Sequence, residues 1–384
     1  MGMKILHLIT GLETGGAERS LVNLVRIPSG PIEDHRVMSL RSLGTFGPKL
    51  REEGVTVETL NIAGSIPGPQ ALWHLHRTVR AYRPDLLQGW MYHGNLAATL
   101  AAHFSNRPTP FLWNIRQSLY DIEKEKAMTR YVIALNRRWS PRASALIYNG
   151  ELSKRQHEAR GFSSMQSIVI PNGFDIEALQ KSGTDRRTVR TALEIPEKSL
   201  LVGHLARFHP MKNHRLFLEA AVRILEKKPD VYFLLAGKQV SLDNALLGSI
   251  IPEKVRSHFR LLGERTDVKE LLSAMDLLCS SSWGESFPNV VGEAMAMELP
   301  CLVTDVGDCA RVVGDCGAVV PPGDQDAFLR ALGSLLSTSR EKLSELGRKA
   351  RERIKSDFSM DLCAKRYVTL YGQVLENRRK QVKP

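Results

Sequence analysis

Residues 199–228 read SLLVGHLARFHPMKNHRLFLEAAVRILEKK. The run from Ser199 to Ala206 is apolar and β-rich. The run from His214 to Lys228 places Leu216, Ala220, Val222 and Leu225 at helical positions. A strand that passes into a helix through a short loop is the repeating unit of a parallel sheet, whose strands are covered on both faces. The loop between them carries Arg207 and Lys212. Ligands of open α/β sheets collect at the carboxyl ends of strands. Two cations there suit a diphosphate, arginine as a planar fork and lysine as a point charge. Two ordinary surface cations are the competing reading.

The same unit recurs in both directions. Upstream, KILHLI (Lys4 to Ile9), Arg36–Leu40, Val55–Leu60, Leu86–Gly89, Phe111–Asn114, Ala145–Tyr148 and Ser167–Ile170 read as strands. Helical patterns lie between most of them. QALWHLHRTVRAY (Gln70 to Tyr82), for example, brings Leu72, Leu75, Val79 and Tyr82 near one face. Downstream, VYFLLAG, FRLLG, LLCSS and CLVTD are strands, each followed by a helix candidate. Two successive sets predict an α/β protein of two Rossmann-like domains with parallel sheets. The expected division is an N-terminal domain over 1–175, a polar linker over 176–196 and a C-terminal domain over 197–357. The last helix, 358–384, is expected to return to the first domain.

Composition narrows the function classes. The 384 residues are 43% hydrophobic and 24% charged, an ordinary globular balance. The start MGMKILHLIT has an apolar run of only six residues, interrupted by His7, and does not read as a signal peptide. No window of 18 uninterrupted apolar residues spans a membrane. A cytoplasmic location follows as the expectation, with peripheral attachment to the inner face of the cell membrane as an option. The five cysteines show no zinc spacing and read as reduced, packed residues. Net charge is +12, and residues 101–160 hold 11 basic against 5 acidic residues. With Trp139 in LNRRWSPR, that stretch suits anionic lipid head groups or an anionic acceptor; it equally suits a solvated helix face. No nucleic-acid motif accompanies the charge.

Two further strand-end segments carry chemistry. In TGLETGGAERS, Gly15 and Gly16 precede a helix, where backbone N–H groups attract phosphate and glycine permits close approach. A plain tight turn explains the pair as well. The pattern is neither G-x-G-x-x-G nor a P-loop. In SSSWGESFPNVVGEAMAMELP, Glu285 lies in the loop after a strand and Glu293 lies inside the next helix. Two carboxylates so placed can reach two different hydroxyl pairs on one sugar nucleotide.

This last segment resembles the Glu-x7-Glu region of the family-4 retaining glycosyltransferases, which have the GT-B fold, two Rossmann-like domains facing across a cleft. The resemblance extends through GGAERSLVNL, IPNGFD, the Arg207/Lys212 loop, LLGERTDVKELLSAMDLLCSSSWGESFPNVVGEAMA and TDVGD…VVPPGD. WMYHGN and WNIRQS are similar to members that build bacterial surface polysaccharides. The resemblance implies that Arg207 and Lys212 hold the donor pyrophosphate, and that Glu293 binds the ribose hydroxyls. Glu285, with main chain around Phe287, Pro288 and Asn289, would grip the transferred sugar. Gly15 and Gly16 would lie against the diphosphate, and main chain near Arg265 and Thr266 would meet the base. His93 would stand near the reacting centre, and Arg116 would contact the acceptor. AGKQV departs from the family's usual Gly-x-Gly, which puts nucleoside contacts near Gly237 in doubt; Asp308 stands where a small residue is common.

The implied reaction is retaining transfer of a hexose or N-acetylhexosamine from a nucleotide sugar, UDP favoured and GDP possible, to a saccharide or lipid-linked saccharide. No cofactor and no metal are expected, because fixed cations and a helix N-terminus can take up the charge of the leaving diphosphate. A nucleotide-sugar epimerase or phosphorylase on the same scaffold, or a non-catalytic binding homologue, are the alternatives.

Overall fold

A computed structural model describes residues 2–27, 30–64, 67–120, 122 and 126–382. Within the basic stretch 101–160, residues 121 and 123–125 therefore lie outside the described residues. The chain divides into two compact units, Met1–Gly173 with Met360–Pro384, and Phe174–Ser359.

The first unit alternates β1 (Met3–Ile9), α1 (Gly16–Arg26), β2 (Ile32–Ser39), α2 (Phe46–Glu52), β3 (Thr56–Thr59), α3 (Pro69–Tyr82) and β4 (Leu86–Trp90). It continues with α4 (Met91–Phe104), β5 (Phe111–Ile115), α5 (Ala127–Trp139), β6 (Ala145–Tyr148), α6 (Glu151–Glu158) and β7 (Ser167–Val169). The sheet runs β3-β2-β1-β4-β5-β6-β7, parallel throughout. Burial explains the apolar strands: β4 and β5 are buried at every position. One face packs beneath α3, α4 and α5, with Leu75, Val79, Ala98 and Val132 in that core. The other face is covered by α1 and by the last helix, which supplies Tyr367, Leu370 and Tyr371.

The second unit begins with α7 (Gly183–Ala192) and continues as β8 (Leu200–Leu205), α8 (His214–Leu225), β9 (Val231–Ala236), α9 (Ala245–Ile250), β10 (Phe259–Leu261) and α10 (Val268–Ala274). Then come β11 (Leu277–Ser280), α11 (Asn289–Ala296), β12 (Cys301–Thr304), α12 (Cys309–Val313), β13 (Gly317–Val320), α13 (Gln325–Leu336) and α14 (Arg340–Asp357). The final helix α15 (Met360–Val382) belongs to the first unit. The second sheet runs β10-β9-β8-β11-β12-β13, again parallel. Both units are thus Rossmann-like, the fold class expected. Among the described residues, no helix is long and apolar enough to cross a membrane. All five cysteines are free and buried.

Two details differ from the sequence reading. GAVV (Gly317–Val320) forms an edge strand that the pattern did not announce; it opens on glycine and leaves Val319 exposed. The stretch 176–196, expected as a linker, contains α7, whose Arg190 is buried against the second unit. The Arg190 guanidinium donates to the carbonyls of Ala274 (2.9 Å), Pro196 (3.0 Å) and Ser199 (3.0 Å), and to Asp276 Oδ2 (2.7 Å). A helix that is polar by composition can still be fixed to a core when a long side chain satisfies several carbonyls at once.

Each unit also buries a histidine. His157 donates from Nδ1 to the Ser153 carbonyl (2.7 Å), so its Nε2 accepts from the Tyr92 hydroxyl (2.7 Å). Its charged form has no place there, and burial pushes its pKa down to about 4. His214, beneath the Arg207–Lys212 loop, is likewise pushed down to about 4, mainly by burial. A folded pKa below the unfolded value means that the unfolded chain binds more protons. The contribution to stability is therefore complete above about pH 6.5 and is lost as pH falls towards 4. Each group is worth on the order of 3 kcal/mol over that window. Acid titration followed by far-UV circular dichroism should show both units losing stability between pH 6 and 4. A flat stability profile across that range would contradict the assignment.

Candidate functional site

In each sheet the strand order reverses at one place, between β1 and β4 in the first unit and between β8 and β11 in the second. Crevices at such switch points, outside the carboxyl ends, are where doubly wound sheets bind ligands. The expected site residues gather mostly at these two places.

In the second unit, β8 leads into the loop that carries Arg207, which is exposed. The β9 loop lies directly on it. Phe208 N donates to the Lys238 carbonyl (2.8 Å), and a Cβ at Gly237 would run into the Ala206 carbonyl and the Arg207 N–H. Gly237 thus supports the Arg207 loop by close approach. Residues Pro210–Lys212 form a tight turn, and Asn213 takes a left-handed φ of 46° to cap α8. That turn aims Lys212 at Glu285, and the two side chains form an ion pair. The Ser282 hydroxyl donates to the same carboxylate oxygen at 2.8 Å.

Both halves of that pair are anchored through the end of β11. The Ser281 hydroxyl donates to the Asn213 carbonyl (2.9 Å), with the Lys212 carbonyl at 3.1 Å, so its oxygen accepts from His204 Nε2 (3.1 Å). The next residue, Ser282, holds Glu285, and its own carbonyl accepts from Thr304 Oγ1 (2.6 Å). Trp283 N donates to the Met211 carbonyl (2.8 Å). Gly307, with φ 58°, lies against the Glu285 backbone, where any Cβ would overlap the Glu285 carbonyl. His204, Ser281, Ser282 and Thr304 were not singled out from sequence. The triple serine after an apolar strand was the available signal, because hydroxyls at a strand end tie adjacent loops together.

Asn289 opens α11, and Glu293 lies within that helix, half-buried. The Phe287 ring stacks on Phe174 and lies tilted against Phe358, and Pro288 is buried. Their side chains face the core, which leaves only main chain to a ligand. Gly292 is the close-packing point: a Cβ there would overlap the Phe174 ring. Arg265 is exposed and bound to Asp267 through two bonds of 2.8 and 2.5 Å; Thr266 beside it is exposed. Asp308 is buried and paired with Arg311 at 2.9 Å, an internal contact of α12.

In the first unit, Gly15 precedes α1 and Gly16 opens it, both exposed. The Glu18 carboxyl folds back to where a Cβ of Gly15 would lie; burial raises its pKa, and Glu13 raises it further. On the other side of the switch point, β4 turns directly into α4 through Met91, whose φ of 62° is costly for a non-glycine residue. Gly94 fits against the Leu8 carbonyl of β1, where a Cβ would overlap. This packed turn sets His93 in the first turn of α4. Burial and then the charge of Arg41 lower its pKa, which favours the neutral ring. Arg116 is spent internally: it donates to Asn114 Oδ1 (3.1 Å), the Tyr367 hydroxyl (3.1 Å) and Asn172 Oδ1, and lies over the Trp90 ring. These contacts form a bracket joining β5 to α15, two amide side chains and a phenol around the guanidinium.

Comparison with known proteins identifies the family. The family described as "Glycosyl transferases group 1" matches residues 199–338, and that described as "Glycosyl transferase 4-like domain" matches residues 5–173. EpsF of Bacillus subtilis, named as a glycosyltransferase, is 27% identical over 331 residues, 79% of either chain. The UDP-Gal:alpha-D-GlcNAc-diphosphoundecaprenol alpha-1,3-galactosyltransferase of Escherichia coli is 26% identical over 218 residues, 56% of either chain. Among solved structures, Anabaena HepE in complex with UDP-glucose superposes with a TM-score of 0.78 at 23% identity, covering 98% of this chain and 100% of that one. With both halves matched, the chain belongs to the family-4 glycosyltransferases and is a sugar-transferring enzyme.

Proposed function

We propose that this enzyme transfers a hexose or N-acetylhexosamine, with retention, from a nucleoside-diphosphate sugar to a saccharide or lipid-linked saccharide. The setting would be bacterial surface polysaccharide or glycolipid synthesis. The observation that carries the reading is the Lys212–Glu285 ion pair on the β8/β11 switch point, with Ser281 holding the Lys212 loop, Ser282 holding the carboxylate, and Arg207 exposed on the same loop. UDP is the favoured donor nucleotide. The relative from E. coli is named for a UDP-galactose donor, and HepE was solved with UDP-glucose.

In this reading Arg207 and Lys212 bind the diphosphate, and Glu293 accepts from the ribose hydroxyls. Lys212 moves part of its charge from Glu285 to phosphate, and Glu285 accepts from the sugar's hydroxyls. As the anomeric C–O bond breaks, its electron pair goes to the diphosphate. Arg207, Lys212 and the N-terminal N–H groups of α11 stabilise that charge in place of a divalent cation. The acceptor oxygen bonds to the anomeric carbon on the same face, and its proton passes to the leaving phosphate oxygen. Neutral His93 orients the acceptor hydroxyl.

The test combines three measurements. Thermal shift with UDP, GDP, ADP and their sugars should single out one nucleotide; ligand at about 100 times its dissociation constant adds roughly 2.7 kcal/mol. Proton NMR of the product should show the donor's anomeric configuration kept, with turnover unaffected by chelator. Inverted product, loss of turnover on chelation, or donor isomers interconverting without acceptor would overturn the reading.

A further inference from the structure

The first unit contains a second, chemically different space. A cavity of about 330 Å³ lies beneath α3, α4 and α5 and reaches the carboxyl edge of the sheet. That volume is within the range of small-molecule sites. Its walls are almost wholly apolar, with Leu72, Leu75, Leu96, Leu100, Val132 and Trp139 among them. Apart from Tyr131 of α5, the polar lining lies at one end: Thr10 follows β1, Arg41 follows β2, and His93 follows β4. The space is therefore amphipathic, an apolar body with a cationic mouth at the switch point.

The helices that wall it give the sign of the occupant's charge. Two arginines of α3, Arg77 and Arg80, and three of α5, Arg130, Arg137 and Arg138, are exposed, and neither helix contains an aspartate or glutamate. Beside them Trp73 and Tyr131 are each 60% exposed, and the Arg77 guanidinium sits over the Trp73 ring at 4.8 Å. Exposed aromatics interleaved with arginines border surfaces that meet anionic amphiphiles.

We infer that this cavity takes the hydrocarbon chain of an acceptor whose chain and sugar are joined through phosphate. The chain fills the apolar body, the phosphate meets Arg41, and the reacting sugar hydroxyl reaches His93. The inference rests on the transferase reading for the sugar. The chain and phosphate are tested without turnover.

The probes are hexyl phosphate, dodecyl phosphate and neutral dodecyl maltoside, titrated calorimetrically into the full chain below their micelle concentrations. Dodecyl phosphate should bind at least about a hundredfold tighter than hexyl phosphate, since each buried methylene adds several-fold. It should also bind tighter than the maltoside. Ala97→Phe, which fills the cavity, should remove the gain with chain length while the thermal shift by UDP is retained, the check that the variant folds. Arg41→Ala should remove the preference for phosphate. Equal binding of the two chains in the unaltered protein, or a chain-length gain that survives Ala97→Phe, overturns the inference. So does a cavity closed by a second copy, seen as a dimer that Ala97→Phe dissociates. Chain-length-dependent binding without sugar transfer to any acceptor would sink the transferase reading and leave the cavity assignment standing.

Discussion

Lys212→Ala is expected to lower kcat/KM for sugar transfer by roughly 10²–10³, the usual cost of removing one fixed donor from a developing anion. The reasoning starts from the ion pair. Lys212 and Glu285 are bound to each other with side chains 26% and 15% exposed. Without the ammonium, the diphosphate loses a counter-charge and also meets a carboxylate that the Ser282 hydroxyl still holds in place. Glu285→Gln alone should cut turnover about tenfold or more through lost sugar contacts. In the double variant the repulsion is gone, so the two losses should not multiply; coupled neighbours show this non-additivity. The Lys212 loop keeps its backbone bonds to Ser281, so Lys212→Ala should stay folded, with a fall in melting temperature from the Glu285 carboxylate left without its ammonium. Steady-state kinetics of the four proteins decides the matter. A loss under about threefold for Lys212→Ala, or strict multiplication of the two singles, would remove Lys212 from the charge-bearing role.

Asp276→Ala should be the most destabilising polar substitution in the second unit. Its carboxylate accepts from Arg190 (2.7 Å), Arg186 (2.9 Å) and the Leu201 N–H (2.8 Å). The Arg190 side chain is 1% exposed. Burial already works against its charge, and Asp276 is the group that most restores it. Removing one partner of a buried pair strands the other, at about 3–5 kcal/mol. For a unit of this size that is roughly a 10 °C fall in melting temperature. Asp276→Asn, which keeps an acceptor but not the charge, should fall between. Urea unfolding would check the series. A midpoint for Asp276→Ala within error of the parent would show that α7 is held by its carbonyl bonds alone.

The sequence made much of this legible because buried parallel strands are nearly continuous apolar runs, so KILHLI, LLQGW, FLWNI and CLVT declare themselves. The loops after two further such strands, Leu200–Leu205 and Leu277–Ser280, then point to Arg207, Lys212 and Glu285, while His93 came from the family resemblance. What stayed hidden depended on distant partners. Nothing local distinguishes the Lys212–Glu285 pairing, 73 residues apart, from two separate roles. Arg116 reads as a strand-end cation until Tyr367, 251 residues away, is found beside it. The helix α7 looks like a linker because, among the described residues, its fully buried side chain is an arginine and Val189 is the one apolar residue it packs on the core. The strand β13 is too short and too exposed to leave a pattern.

Ser281 and Ser282 are neighbours on one backbone, a single peptide step of about 3.8 Å apart. One fastens the loop that bears the cation, the other the carboxylate. The gap between opposite charges is thus set by covalent bonds rather than by how tightly helices pack. Thermal breathing of the surrounding shell would carry both groups along together. A lineage could then recast the walls around a new sugar while the spacing of its charge machinery stayed untouched.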